Sequence, residues 1–229
     1  MRPRLLCGLA AAVALLAAAC GGGDSGGGGP APAPAVGPSL AGSGFPVKVA
    51  DCDGVETTFD SAPQKIVTSN ASSLETLFWL GAGDRVIGTG FPPGRGTVPE
   101  RFAEQIAKVP VLGEGVIAKE KLLGSGAQLY IDTFGPPAGA GGMSGMGDVA
   151  SPREFAAVGI KHIYLHSTAC AATLAHPQND LSEVEADITR LGAVTGTSAR
   201  AQELVADMER KTGAVRSAIA DVAPDRRPT

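Results

Sequence analysis

The 229-residue chain carries 19 Lys and Arg against 23 Asp and Glu, a net charge of −4, and is 44% hydrophobic but only 4% aromatic. Its basic residues form no cluster, which argues against nucleic acid as a partner. No Gly-x-Ser-x-Gly elbow stands between a strand and a helix, and no Gly-x-x-x-x-Gly-Lys phosphate loop or His-Glu-x-x-His motif occurs, so an enzyme is not expected.

Met1-Arg2-Pro3-Arg4 followed by an apolar run from Leu5 to Ala19 has the charged and apolar regions of an export signal. That run is shorter than the roughly 20 residues a membrane span needs. Leu16-Ala17-Ala18-Ala19-Cys20-Gly21 resembles the bacterial lipobox, although Ala17 stands where the lipobox favours Leu. Residues 1–19 are therefore expected to be a lipoprotein signal peptide, with Cys20 lipidated and the protein anchored on the outer face of the cell membrane. The alternative is an ordinary signal cut after Ala19, with Cys20 incidental. Residues 20–45 are almost wholly Gly, Ala, Pro and Ser and read as a flexible spacer, since they hold too little apolar side chain to offset ordering entropy. Of four cysteines, Cys7 leaves with the signal and Cys20 takes lipid. Cys52 and Cys170 remain, as one disulfide or as two buried thiols.

Val47 to Cys52, Asp53-Gly54 and Val55 to Phe59 read as a β-hairpin, because Asp-Gly between strand-like runs suits a type I′ turn. Lys65 to Ser69 is a β-branched strand. Ser72 and Glu75 are spaced as a capping box for a helix through Leu74, Leu77, Phe78 and Leu80, with Gly81 at its end. Arg85 to Thr89 predicts a strand, Val98 to Lys108 a helix, Val109 to Leu112 a short strand and Lys119 to Leu123 a short helix. Gln128 to Thr133 and Ile160 to Leu165 are further strands, separated by a helix over Pro152 to Val158 with proline in its first turn. Strands alternating with short helices predict an α/β, Rossmann-like parallel-sheet lobe whose binding edge lies at the strand carboxyl ends. Ser182 and Glu185 form a second capping box before a helix that Gly192 is expected to stop. Ser198 to Val222 then reads as one helix of about 25 residues, about 37 Å long, with an apolar stripe from Leu204 to Val222.

Ala62-Pro63-Gln64-Lys65-Ile66-Val67, Leu74-Glu75-Thr76-Leu77 and Leu80-Gly81-Ala82-Gly83-Asp84-Arg85-Val86-Ile87-Gly88 together resemble the opening of the iron-siderophore and vitamin B12 binding proteins of ABC importers. Val109-Pro110-Val111-Leu112-Gly113, Lys119-Glu120-Lys121-Leu122-Leu123, Phe155-Ala156-Ala157-Val158-Gly159-Ile160 and Leu191-Gly192-Ala193-Val194-Thr195-Gly196 follow in the family's order. The resemblance implies two α/β lobes joined by one long helix, with ligand held between them. It makes 46–196 an N-terminal ligand-binding lobe and 197–229 the inter-lobe helix with a truncated start of the second lobe. A second lobe is expected and missing, so the chain reads as a truncated product or a fragment.

Ligand contacts are expected at the strand ends. Ser69 and Asn70 precede a helix whose free N–H groups suit an anionic or carbonyl oxygen, although Asn70 and Ser72 as mere caps explain the pattern equally well. Phe91 and Arg95, in Gly90-Phe91-Pro92-Pro93-Gly94-Arg95-Gly96, offer an aromatic face and a guanidinium to a flat anionic chelate. Arg95 on a solvated turn is the bland alternative. Glu114, Phe134 and His166 are further candidates on the same side. Residues 135–147 form a Gly- and Met-rich insertion. His162 and His166 share a strand face about 13 Å apart, too far for one ion. His166, Cys170 and His176 converging on a metal would need three or four close ligands, so no metal site is expected. The resemblance around Tyr164 to Cys170 favours a Cys52–Cys170 disulfide. It also carries the lobe-one acidic residue that docks on the permease over to Glu120. The implied function is capture of a ferric siderophore for an ABC permease, with no cofactor beyond the lipid. The alternatives are a cobalamin or haem receptor, a free Zn or Mn receptor, which three histidines disfavour, and a truncated half-protein without transport function.

Overall fold

The computed structural model describes residues 44–135, 149–223 and Arg226. The signal segment 1–19, the lipidation site Cys20, the spacer as far as Ser43 and most of the Gly- and Met-rich insertion lie outside the described residues.

Strand β1 (Val47–Ala50) pairs antiparallel with β2 (Glu56–Phe59). The connection is wider than the two-residue turn expected from Asp53-Gly54. The Asp51 amide donates to Val55 O at 3.0 Å, and the Asp51 carboxylate accepts from the amides of Asp53 (2.9 Å) and Val55 (2.8 Å). Gly54 alone in this turn takes a positive φ, 82°, whereas type I′ needs two. An Asp side chain replacing backbone acceptors explains the difference.

Strands β3 (Ile66–Thr68), β4 (Val86–Thr89), β5 (Leu129–Asp132) and β6 (Lys161–Tyr164) form a parallel sheet in the order β4-β3-β5-β6, as the alternating pattern predicts. The strand expected at Val109 to Leu112 is reduced to one bridge, between Thr89 and Val111. Pro110 has no N–H to extend a ladder. Helices α1 (Ala71–Trp79), α2 (Glu100–Ile106), α3 (Lys119–Leu123) and α4 (Pro152–Ala157) occupy the crossovers; α5 (Ser182–Thr195) and α6 (Ser198–Ala218) follow the sheet.

The two-residue period of the strands divides the core. Ile66, Leu129 and Ile131 join Leu74, Leu77, Leu191, Val194 and Phe59 of the hairpin. Val67 and Tyr130, one residue out of phase, join Leu122, Phe155 and Ile160. Both faces of the central strands are therefore covered, which is why their sequences are continuously apolar.

Two helix starts differ from the sequence expectations. Asn70 caps α1, accepting from the Ser73 amide at 3.1 Å; Ser72 lies inside the helix and Glu75 accepts from Trp79 Nε1 at 2.9 Å. Helix α5 has no side-chain cap at Leu181, and the Ser182 amide donates to Asp180 instead. A complete capping box forms at Ser151 and Glu154, where hydrogen bonds from the Ser151 amide and hydroxyl, with Lys119 beside them, pull the Glu154 carboxyl down to about 2.

Gly192 does not stop α5. The helix continues to Thr195 and closes at Gly196, φ 70°, with the Thr197 amide on Gly192 O (2.7 Å) and the Gly196 amide on Ala193 O (3.2 Å), a Schellman arrangement. Gly192 instead lets α6 approach: an added Cβ would stand 2.4 Å from Ala201 Cβ. Gly192→Ala is expected to lose about 1–3 kcal/mol through overpacking, outweighing its helix-propensity gain. Gly213→Ala, with nothing within 4 Å of the new Cβ, should gain up to about 1 kcal/mol. Thermal unfolding of both variants checks this; shifts of the same sign would refute the packing role of Gly192. Beyond Ala201 the apolar positions of α6 are only partly covered, and Val215 is 60% exposed. Among the described residues no helix is long and apolar enough to cross a membrane.

Candidate functional site

The carboxyl ends of β3, β4 and β5 converge through short polar links. The Ser69 amide bonds Ile131 O at 3.0 Å, and the Ser69 hydroxyl meets Thr133 Oγ1 at 2.8 Å and accepts from the Thr133 amide at 3.1 Å. Asn70 Nδ2 donates to the same Thr133 hydroxyl at 2.8 Å, while Asn70 Oδ1 caps α1. Deeper, Thr68 Oγ1 donates to Thr89 Oγ1 at 2.9 Å, and Thr89 donates to Gly90 O. Ser69, Thr68 and Thr89 are almost fully buried. These hydroxyls therefore brace the strand ends against one another, and the Ser69 hydroxyl is engaged by both the amide and the hydroxyl of Thr133. Asn70 is half-buried and keeps one amide hydrogen without a partner among the described residues.

Two aromatic rings sit on this brace. Phe91 and Phe134 lie 5.2 Å apart between ring centroids, at 57°, a geometry aromatic pairs favour. Phe91 holds φ at 33°, a conformation unusual for a non-glycine residue. Its amide donates to Gly115 O (3.2 Å) and its carbonyl accepts from the Ala71 amide (3.0 Å), so neighbouring loops enforce it. Strain held in place this way concentrates at binding sites. Gly90 lets the loops close up, since a Cβ there would stand 2.7 Å from Ser69 O and 2.9 Å from Gly115 O. The edge of the Phe91 ring lies over Gly115, 3.5 Å from the place a Cβ would take.

The remaining sequence candidates fall in different places. Glu114 is exposed beside Gly115, in the loop that carries the Phe91 ring. Arg95 is also exposed, and lines a separate cavity that neither aromatic ring lines. His166 is directed elsewhere: its ring meets Ala50 O of β1 at 3.0 Å and its amide donates to Asp187 at 2.9 Å, so it ties β6 to the hairpin and to α5. Glu120 is exposed in the first turn of α3. Cys52 and Cys170 form a disulfide, with Cα atoms 5.1 Å apart across 118 residues of sequence. With Cys170 bonded and His166 on Ala50, the His166, Cys170 and His176 set does not come together. Among the described residues no group of three or more His, Cys, Asp or Glu could hold a metal ion.

Thr133 and Asp187 are the functional-region residues that a sequence reading overlooks. Thr133 only acquires meaning once β3 and β5 are neighbours. Asp187 is buried on α5, accepting from the His166 and Ser167 amides (2.9 and 2.8 Å) and from Arg190 (2.5 Å). On the opposite sheet face His162 lies among Tyr130, Phe155 and Tyr164, 3.5 Å from Asp132. Burial, reinforced by Asp132, pushes the phenols of Tyr130 and Tyr164 well up, so both are neutral hydrogen-bonding groups.

A parallel sheet backed by helices and followed by long helices is a fold shared with solved binding proteins. No family model matches the sequence. The chain does resemble ABC transporter substrate-binding lipoproteins: it is 24% identical over 165 residues to the substrate-binding lipoprotein YvrC of Bacillus subtilis (strain 168), covering 72% of this chain and 45% of that one. A structure of an ABC-type Fe3+-hydroxamate transport system from Saccharomonospora viridis superposes with TM-score 0.63 at 22% identity, covering 77% of this chain and 57% of that one. A periplasmic binding protein from Veillonella parvula superposes with TM-score 0.60 at 21% identity, over 78% and 56%. The chain thus spans about half the length of the relatives it matches.

Proposed function

We propose that this chain supplies the N-terminal ligand-binding lobe of an exported, lipid-anchored receptor that captures a ferric siderophore and delivers it to an ABC permease. The Phe91–Phe134 pair, mounted on the Ser69–Thr133–Asn70 brace at the strand ends, carries the reading. Flat chelating rings stack on such a pair, and an aromatic contact adds about 0.5–1.5 kcal/mol beyond buried area. The similarity to a substrate-binding lipoprotein and to an Fe3+-hydroxamate transport protein supports this choice of cargo. A lipid on Cys20 followed by the Gly- and Pro-rich spacer would hold the lobe near its permease at high effective concentration.

Calorimetric titration of the protein with ferric hydroxamate and catecholate siderophores, cobalamin, haemin, Zn2+ and Mn2+ tests the cargo. Calorimetry is preferable to intrinsic fluorescence because Trp79 lies against Phe102 and under Arg101, among α1 and α2 contacts, and not at the aromatic pair. A ferric siderophore is expected to bind best, and Phe91→Ala or Phe134→Ala to weaken it about tenfold. Binding of another candidate in preference, or wild-type affinity in both variants, would refute the reading. Docking is tested separately. In a receptor that carries both lobes, Glu120→Arg is expected to leave ligand binding intact and abolish siderophore-dependent iron uptake in cells, since a reversed charge on an exposed docking residue opposes the permease surface; normal uptake would remove Glu120 from the interface.

A further inference from the structure

A cavity of about 300 Å3 is lined by Pro92 and Pro93 of the loop that follows β4, by Ala103 and Ile106 of α2 and by Leu74 of α1. Its character differs from that of the strand-end brace. Leu74 and Ile106 are buried and apolar, and Val111, which also lines it, is 42% exposed. The one polar side chain in its wall, Thr89, is already bonded to Thr68 and Gly90. Arg95 is the single charged residue in the lining, and among the described residues no carboxylate pairs with it. An open apolar hollow of this kind binds hydrocarbon, and an unpaired guanidinium at its wall selects a carboxylate through its fork of donors. Its volume of about 300 Å3 leaves room for a medium-length aliphatic chain.

We infer that this cavity is a subsite for an aliphatic chain bearing a carboxylate, and that the receptor's natural cargo is an amphiphilic chelate whose tail, ending in a free carboxylate, enters here while its chelating head lies on Phe91 and Phe134. The second half of the inference rests on the proposed function; the first does not. The position of the hollow supports the combination. Pro92 and Pro93 of its wall follow Phe91 directly in the chain, so head and tail subsites flank one rigid stretch of backbone.

Calorimetry with sodium decanoate, decanol and succinate tests the subsite without any iron chelate. Decanoate is expected to bind one to one, with decanol and succinate each at least about tenfold weaker. Ala103→Phe, which fills the hollow from α2, should abolish decanoate binding, and Arg95→Gln should weaken it about tenfold while leaving decanol unchanged. Circular dichroism and thermal unfolding of both variants establish that they are folded. No decanoate binding, or binding indifferent to both substitutions, overturns the subsite. Competition then tests the tail assignment: a ferric chelate with a carboxylate-terminated acyl chain should displace decanoate, and its deacylated form should bind alongside it. Displacement by both forms, or by neither, overturns the assignment. Failure of decanoate alone, with siderophore binding intact and sensitive to Phe91→Ala, would leave the proposed function standing without this inference.

Discussion

Asp187→Ala is expected to lower the unfolding free energy by about 3–5 kcal/mol, the largest effect of any single side-chain truncation proposed here. The carboxylate is 4% exposed and answers three donors at once: the amides of His166 and Ser167 and the guanidinium of Arg190. Truncation leaves Arg190, whose side chain is 14% exposed, as an uncompensated buried cation, and breaking a buried pair costs about that much. Two amides in the turn after β6 also lose their acceptor. For a domain of this size the melting temperature should fall by about 2–4 °C per kcal/mol. Urea unfolding of the wild type, Asp187→Ala and Asp187→Ala/Arg190→Met checks it. The double variant should recover part of the loss, because the stranded charge is gone. A loss under about 1 kcal/mol in the single variant would show that the carboxylate does not organise this turn.

Removing the Cys52–Cys170 disulfide, by Cys170→Ser or by reductant, is expected to cost about 2–5 kcal/mol. The bridge closes 118 residues of sequence, and chain-entropy reasoning ties larger loops to larger effects. It also joins the turn between β1 and β2 to the segment after β6, the region Asp187 holds from the other side. The His166 ring on Ala50 O is the non-covalent link that would remain. Denaturant titration with and without reductant measures the loss, and equal midpoints would refute it. Because bridge and carboxylate secure one region, the two losses should not add.

The sheet was legible in advance because burial on both faces leaves a simple mark, continuous apolar runs such as Leu129-Tyr130-Ile131 bounded by turn residues. Helix ends were less so. Ser72 with Glu75 satisfies the capping-box spacing, yet Asn70 takes the role, its side-chain amide also bonded to Thr133 just past β5. Gly192 has the composition of a terminator but serves a helix contact, a distinction that depends on where Ala201 lies. Arg95 shares the loop after β4 with Phe91, and His166 follows β6 at the same sheet edge, but backbone direction takes His166 to β1 and Arg95 to a separate hollow.

The α/β alternation, the parallel lobe and the aromatic candidates at strand ends are local properties, set by periodicity and turn chemistry within a few residues, and the sequence alone determined them. The brace through Thr133, the partnership of Phe91 with Phe134, the clamp at Asp187 and the cavity beside Arg95 were decided only by tertiary structure. Their long-range contacts join groups 20 to 64 residues apart in the chain or walls drawn from several elements. Such meetings depend on strand order and helix approach, which packing selects and no local pattern encodes.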